Sequence, residues 1–161
     1  MPTNLFGVND NFHPEQSHVI PGLINKFYHA VRTGEKSVTV WGDGSPLREF
    51  MCSDDLAQSV LFLSEKVERD DLNKKVSGHN NCFSHINVGS EYEISIGNLA
   101  KKIGDLFGFE GQINFDTTKP NGTPRKLMDS SFFKSLGYKS QNNFDSDLKM
   151  TIEWFKQKVN S

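Results

Sequence analysis

Little in this sequence would place it in a membrane or an oxidising compartment. No run in its 161 residues approaches the roughly 18 to 20 consecutive apolar side chains needed to span a bilayer. Met1-Pro2-Thr3-Asn4-Leu5 has neither the basic nor the apolar region of a secretory leader, so a soluble, cytoplasmic protein with no membrane partner is expected. Cysteine is scarce. Cys52 and Cys82 are too few for a disulfide framework and read as small buried hydrophobes. Neither sign of charge dominates: 18 Lys and Arg stand against 20 Asp and Glu, a net charge of -2. The cations are dispersed, which argues against nucleic acid as a partner; any polyanion recognised here should be small.

The motifs that announce a reaction are missing too. There is no Gly-x-Ser-x-Gly, no His-Glu-x-x-His, no phosphate-cradling glycine loop and no Gly-x-Gly-x-x-Gly. Five histidines leave room for a metal, and His79-x-x-Cys82-x-x-His85 offers three zinc-ligand side chains. A fourth ligand is not evident, and Ser77-Gly78-His79-Asn80-Asn81 suits a solvent-exposed loop, so no metal is expected.

What is present suffices for a core. The 35% of apolar side chains and 13 glycines are near the globular norm, and a chain this long buries roughly two-thirds of its unfolded surface. Residues 1–161 read as one domain. Pro2 to Gly7 reads as the end of an extended segment, as though a strand were cut in half, and Val8 to Ser17 as a polar loop. Val19, Ile20, Leu23, Ile24, Phe27, Ala30 and Val31 recur at helical spacing, with Pro21 in the first turn and Gly34 as the stop. Ser37 to Trp41 predicts a strand, Gly42-Asp43-Gly44-Ser45-Pro46 a tight turn, and Arg48 to Met51 a second strand. Asp54 or Ser53 is placed to cap a helix whose apolar positions are Leu56, Ala57, Val60, Leu61 and Leu63.

Glu65 to Asn81 reads as a charged surface insertion and Ser84 to Gly89 as a buried strand. A helix is expected from Ser95 to Phe107, closed by Gly108, then a strand from Gln112 to Phe115. Asp116 to Lys126 reads as a loop with three cations and two prolines. Helices over Ser130–Leu136 and Asp145–Val159 finish the chain, the last carrying Leu148, Ile152, Trp154, Phe155 and Val159. Strands alternating with helices make the class α/β, with strand pairs left open where a larger parallel sheet would continue.

Ligands in α/β proteins bind at the loops that end strands, and several polar groups fall there: Ser17-His18 before a helix, Lys26 within it, Arg48 after the turn, Lys119 and Arg125 in the later loop. A histidine near a helix N-terminus can trade a proton near neutral pH, or simply cap its own backbone. Arg48 has the fork that fits a phosphate, unless it is a solvated surface residue; Lys119 and Arg125 are either ligand-facing or merely exposed. Trp41 reads as a core residue or as a platform for a nucleobase.

Pro2-Thr3-Asn4-Leu5-Phe6-Gly7, Asp10-Asn11-Phe12-His13-Pro14, Ser17-His18-Val19-Ile20-Pro21, Val40-Trp41-Gly42-x-Gly44, Arg48-Glu49-Phe50, Asp55-Leu56-Ala57 and Lys119-Pro120-x-Gly122-Thr123-Pro124-Arg125-Lys126 occur in this order. Together they resemble the GDP-L-fucose synthases, extended short-chain dehydrogenase/reductases, from Pro2 to about Lys158. Val8 and Met51-Cys52-Ser53 are small departures. The resemblance implies the C-terminal portion of a Rossmann-type fold that contains the smaller, substrate-binding domain, with the N-terminal dinucleotide-binding half absent. It implies an NADPH-dependent enzyme that epimerises C3 and C5 of GDP-4-keto-6-deoxy-D-mannose and reduces C4. Homodimers are the rule in that family, and this portion alone is expected to be inactive.

By the same resemblance His18 is the acid/base residue, its cysteine partner matching neither Cys52 nor Cys82. Asn4 and Leu5 border the nicotinamide. Lys26, Trp41, Arg48 and Lys119 hold the GDP-sugar, Lys26 and Arg48 at the diphosphate. The family's Gly-x-x-Gly-x-x-Gly loop, its serine and its Tyr-x-x-x-Lys pair have no counterpart here.

Overall fold

The computed structural model describes residues 1–68, 85–140 and 143–160. The elements run β1 (Asn4–Phe6), α1 (Val19–Thr33), β2 (Ser37–Trp41), β3 (Leu47–Cys52), α2 (Ser53–Lys66), β4 (Glu93–Ser95), α3 (Ile96–Phe107), β5 (Gln112–Asp116), β6 (Arg125–Lys126), α4 (Ser131–Ser135) and α5 (Phe144–Asn160). The class is α/β, as expected.

β3 is the hub of the larger sheet. Its C-terminal half pairs in parallel with β1, Asn4 opposite Phe50 and Phe6 opposite Cys52. Its N-terminal half lies between antiparallel β4 and parallel β6, with Arg48 in register with Ile94 on one side and Lys126 on the other. β2 and β5 form a separate parallel pair in which Trp41 stands opposite Asp116.

Helix α1 forms where the apolar spacing predicts it. Its core face, Ile20, Leu23, Ile24, Phe27 and Ala30, is buried, and Gly34 ends it in the left-handed region. α3 starts on a true cap, the Ser95 hydroxyl accepting from the Asn98 N–H at 3.1 Å, and buries Leu99, Ala100 and Ile103 against α1. α5 adds Leu148, Ile152 and Phe155 to the same core. Phe12 stacks on Trp154 and lies 4.5 Å from Phe155, while buried Asn25 donates to the Phe12 carbonyl. The polar loop after β1 is thereby anchored over the N-terminal part of α1. A second cluster gathers Met51, Val88 and Phe133.

Several expectations need correction. α2 begins at Ser53 itself, with Cys52 at the cap position and no side-chain cap bond. Its face is also rotated from the expected one: Val60 and Leu61 are 54% and 65% exposed, and Ser59 is the buried residue, its hydroxyl donating to the Asp55 carbonyl. Of the strand expected over Ser84 to Gly89, the described part contributes one parallel bridge, Pro2 to Val88. Arg125-Lys126 is paired strand rather than loop, and β4 was not foreseen. Residues this short carry no periodicity to read. His79 and Cys82, and most of the charged stretch before them, lie outside the described residues. No described helix is long and apolar enough to cross a membrane.

Candidate active site

A cleft of about 770 Å³ opens where β1 runs into the following loop. Its wall comes from distant parts of the chain: residues 3–10, His18 at the head of α1, Trp41 at the end of β2, Arg48 on β3, and Asn121. Of the seven site residues expected from sequence, Asn4, Leu5, His18, Trp41 and Arg48 line this one cleft. Lys26 and Lys119 do not line it; their ammonium groups stand over the Trp41 ring, 5.8 and 5.6 Å from its centroid.

His18 occupies the cap position of α1, but its side chain makes no cap hydrogen bond. The self-capping alternative is therefore not what the fold adopts; the imidazole is exposed on the cleft wall. Trp41 is 63% exposed and so is not a core residue. It projects from the last position of β2, where the strand's alternation buries Val38 and Val40 and turns Ser37, Thr39 and Trp41 outward.

Arg48 is half-buried. Its Nη1 donates to the Leu47 carbonyl at 2.7 Å, while Nη2 faces Gly122, 3.4 Å from where a Cβ there would stand. Lys26 Nζ donates to the Thr39 carbonyl at 2.9 Å, and burial lowers the pKa of this lysine. Arg125 is committed elsewhere: its guanidinium forks onto the Glu93 carboxylate, at 2.9 Å from Nε to Oε1. Asp43 and Asp116, the carboxylates beside Trp41, are both held low. Bonds from Ser45 act on the first and bonds from Thr118 on the second, so each anion is spent on its own turn.

Two functional residues escaped the sequence reading. Asn121, which sequence alone marks only as part of an Asn-Gly-Thr triplet, lines the cleft and accepts the Asp43 N–H at 2.8 Å. That bond latches the loop after β5 onto the turn after β2. Gly42 has φ of 78°, and a Cβ there would run into the Asn121 amide, so the close approach requires glycine. Glu49 is the other. It is wholly buried, and its carboxylate accepts the Glu91 N–H at 2.7 Å and the Met128 N–H at 3.2 Å, fixing the segment that leads out of β6. It stands in the Arg48-Glu49-Phe50 motif, but nothing in the sequence marks it as a brace, because its neighbours in space are distant in the chain.

Asn4 Nδ2 is committed to the Glu49 carbonyl at 2.8 Å, and Leu5 packs its side chain on the second core cluster. Cys52 faces a different cavity, and burial pushes its thiol pKa up, so it is no base for this cleft.

Residues 1–89 match the model of the NAD dependent epimerase/dehydratase family. The chain belongs to that family. Among similar epimerase/dehydratase sequences is the putative GDP-L-fucose synthase 2 of Arabidopsis thaliana, 47% identical over 159 residues, which are 99% of this chain and 44% of that one. Among solved structures, a GDP-L-fucose synthetase from Naegleria fowleri bound to NADP superposes with a TM-score of 0.81 at 35% identity, covering 99% of this chain and 46% of that one. A GDP-6-OMe-4-keto-L-xylo-heptose reductase from C. jejuni gives 0.85 at 31%, covering 98% and 53%. The chain spans about half the length of the curated relatives it matches. The fold these relatives share is the α/β one described above.

Proposed function

We propose that this chain forms the nucleotide-sugar side of a GDP-L-fucose synthase, which epimerises C3 and C5 of GDP-4-keto-6-deoxy-D-mannose and reduces C4. One observation carries the reading: His18, Trp41 and Arg48 line the same cleft, with the Lys26 and Lys119 ammonium groups against Trp41. Arg48 Nη2 and Lys26 neutralise the diphosphate, and the exposed Trp41 ring lies with Lys119 against the nucleotide sugar. C3 and C5 flank a ketone, so their protons are acidic. An imidazole exposed on the cleft wall is suited to deliver or remove one on the face it lines.

NADPH supplies the hydride for C4 when bound to the complete enzyme. Asn4 and Leu5, which the resemblance puts at one edge of that cofactor, line the cleft, and the sequence has no Gly-x-x-Gly-x-x-Gly turn, so the chain alone is expected to be inactive. Within a complete enzyme the 161 residues form the C-terminal, substrate-binding part.

Calorimetry of the purified chain with GDP, UDP and NADPH tests the reading. GDP should bind more tightly than UDP, and Arg48→Ala should weaken GDP by about 1.5–3 kcal/mol, the value of a charge-assisted bond. Absence of GDP binding, or an unchanged affinity in the variant, overturns it. In a complete enzyme His18→Ala should abolish solvent-deuterium exchange at C3 and C5 and leave GDP affinity nearly intact; undiminished exchange removes His18 from the chemistry.

A further inference from the structure

A second cavity, of about 320 Å³, lies on the other side of Phe6 and Phe50, which contribute to both walls. Nothing in the proposed chemistry uses it. Its sides are aromatic: Tyr92 stacks on Phe144 at 4.5 Å between centroids, and Phe133 meets Tyr138 at 5.0 Å. Three acidic residues line it, and one of them, Glu91, is paired with Lys134. Asp55 accepts the Tyr138 hydroxyl at 2.6 Å. Asp147 is 5% exposed and lines the same cavity. The hydroxyl of Ser130, 4% exposed, faces the same space with no partner among the described residues.

Buried polar groups are normally satisfied, which the Ser130 hydroxyl is not among the described residues, and burying a carboxylate beside aromatic rings is costly. Asp55 and Asp147 sit in the first turns of α2 and α5, where a helix favours anions. That explains why acids are tolerated there, but not why Asp147 is buried beside an aromatic-walled cavity. Its pKa is raised by burial and by the Asp55 and Asp54 charges. The Lys134 ammonium, the cation among the described lining residues, is paired with Glu91 rather than with Asp55 or Asp147. A metal ion is a poor occupant, because no three His, Cys, Asp or Glu side chains gather to hold one among the described residues. Aromatic faces with carboxylates between them recognise a different cation, one that is compact, organic and weakly hydrated.

We propose that the cavity bounded by Phe133, Tyr138, Tyr92 and Asp147 is a second ligand site, selective for a small organic ammonium ion. The ammonium reaches Asp147 and the Ser130 hydroxyl, and its hydrocarbon part lies against the rings. The site is independent of the GDP reading, because none of its polar groups lines the nucleotide cleft.

The test titrates the whole chain with phenethylammonium and with its uncharged counterpart 2-phenylethanol, followed by calorimetry and by NMR shifts of the aromatic side chains. The amine should bind saturably, at least roughly tenfold more tightly than the alcohol, the fold-change of one charge-assisted contact. Shifts should centre on Phe133, Tyr138 and Tyr92. Asp147→Asn should erase that preference while leaving GDP affinity unchanged. Equal affinity for amine and alcohol, no saturable binding, or shifts centred elsewhere overturns the proposal. The comparison of the two ligands on the unaltered chain decides the matter even if the variant folds poorly.

Discussion

Glu49 offers the sharpest test of how the cleft is held together. The residue joins three segments. Its carbonyl accepts from Thr3 Oγ1 at 3.2 Å and Asn4 Nδ2 at 2.8 Å, and its two carboxylate oxygens accept the Glu91 and Met128 N–H groups. Around it there is no slack, since a Cβ on Gly89 would collide with Oε1. Glu49→Gln preserves volume but turns one acceptor into an N–H₂ donor, which in either orientation faces a backbone N–H. One of the two bonds is lost and its donor is left buried, a cost of about 1.5–3 kcal/mol for a bond to a charged acceptor. Against the 5–15 kcal/mol that holds a typical domain, this is a large fraction. Urea denaturation followed by tryptophan fluorescence and circular dichroism should show the midpoint falling with an unchanged slope. Asn121 sits on the loop that enters β6 and Met128 on the segment that leaves it, so loosening that segment should lower GDP affinity as well. A stability within about 0.5 kcal/mol of the parent, the range of an inconsequential surface change, would refute the assignment of these bonds as the tether.

Two further outcomes follow from the same geometry. Gly42→Ala places a side chain at positive φ and pushes against the Asn121 amide. It should cost about 1–2 kcal/mol of stability in a urea titration and also weaken GDP binding. An absorbance titration should find one of the tyrosines ionising late, because burial and the Asp55 carboxylate push the Tyr138 phenol to about 12 from an ordinary 10.0. The folded protein then holds that proton more tightly than the unfolded chain does, so stability should decline as pH rises above 10.0. Asp55→Asn should bring this late ionisation earlier, and an unchanged curve would contradict the pairing.

The elements legible in sequence are those whose signal is local. α1 has a seven-position apolar stripe and a glycine stop, α3 has a serine cap and a glycine end, and β2 alternates inside and outside in step with its residues. α2 misled for an equally physical reason. Leu56, Ala57, Val60, Leu61 and Leu63 are too many apolar positions for one stripe, and spacing alone does not say which arc meets the core. Trp41 shows the same limit, since a large ring at a strand's end is apolar enough for the interior yet stands in solvent between two lysines.

Local order, the helix stops and the identity of the chemical groups were thus written in the chain as it stands, because backbone preference and side-chain periodicity act over a few residues. The resemblance of its motifs named the candidates. Only the tertiary structure decided that His18, Trp41 and Arg48 share one wall, that Asn121 latches it and that Glu49 braces it. Those relations depend on β3 being flanked by β1, β4 and β6 at once, and the pairing of strands far apart in sequence leaves no mark in any one of them.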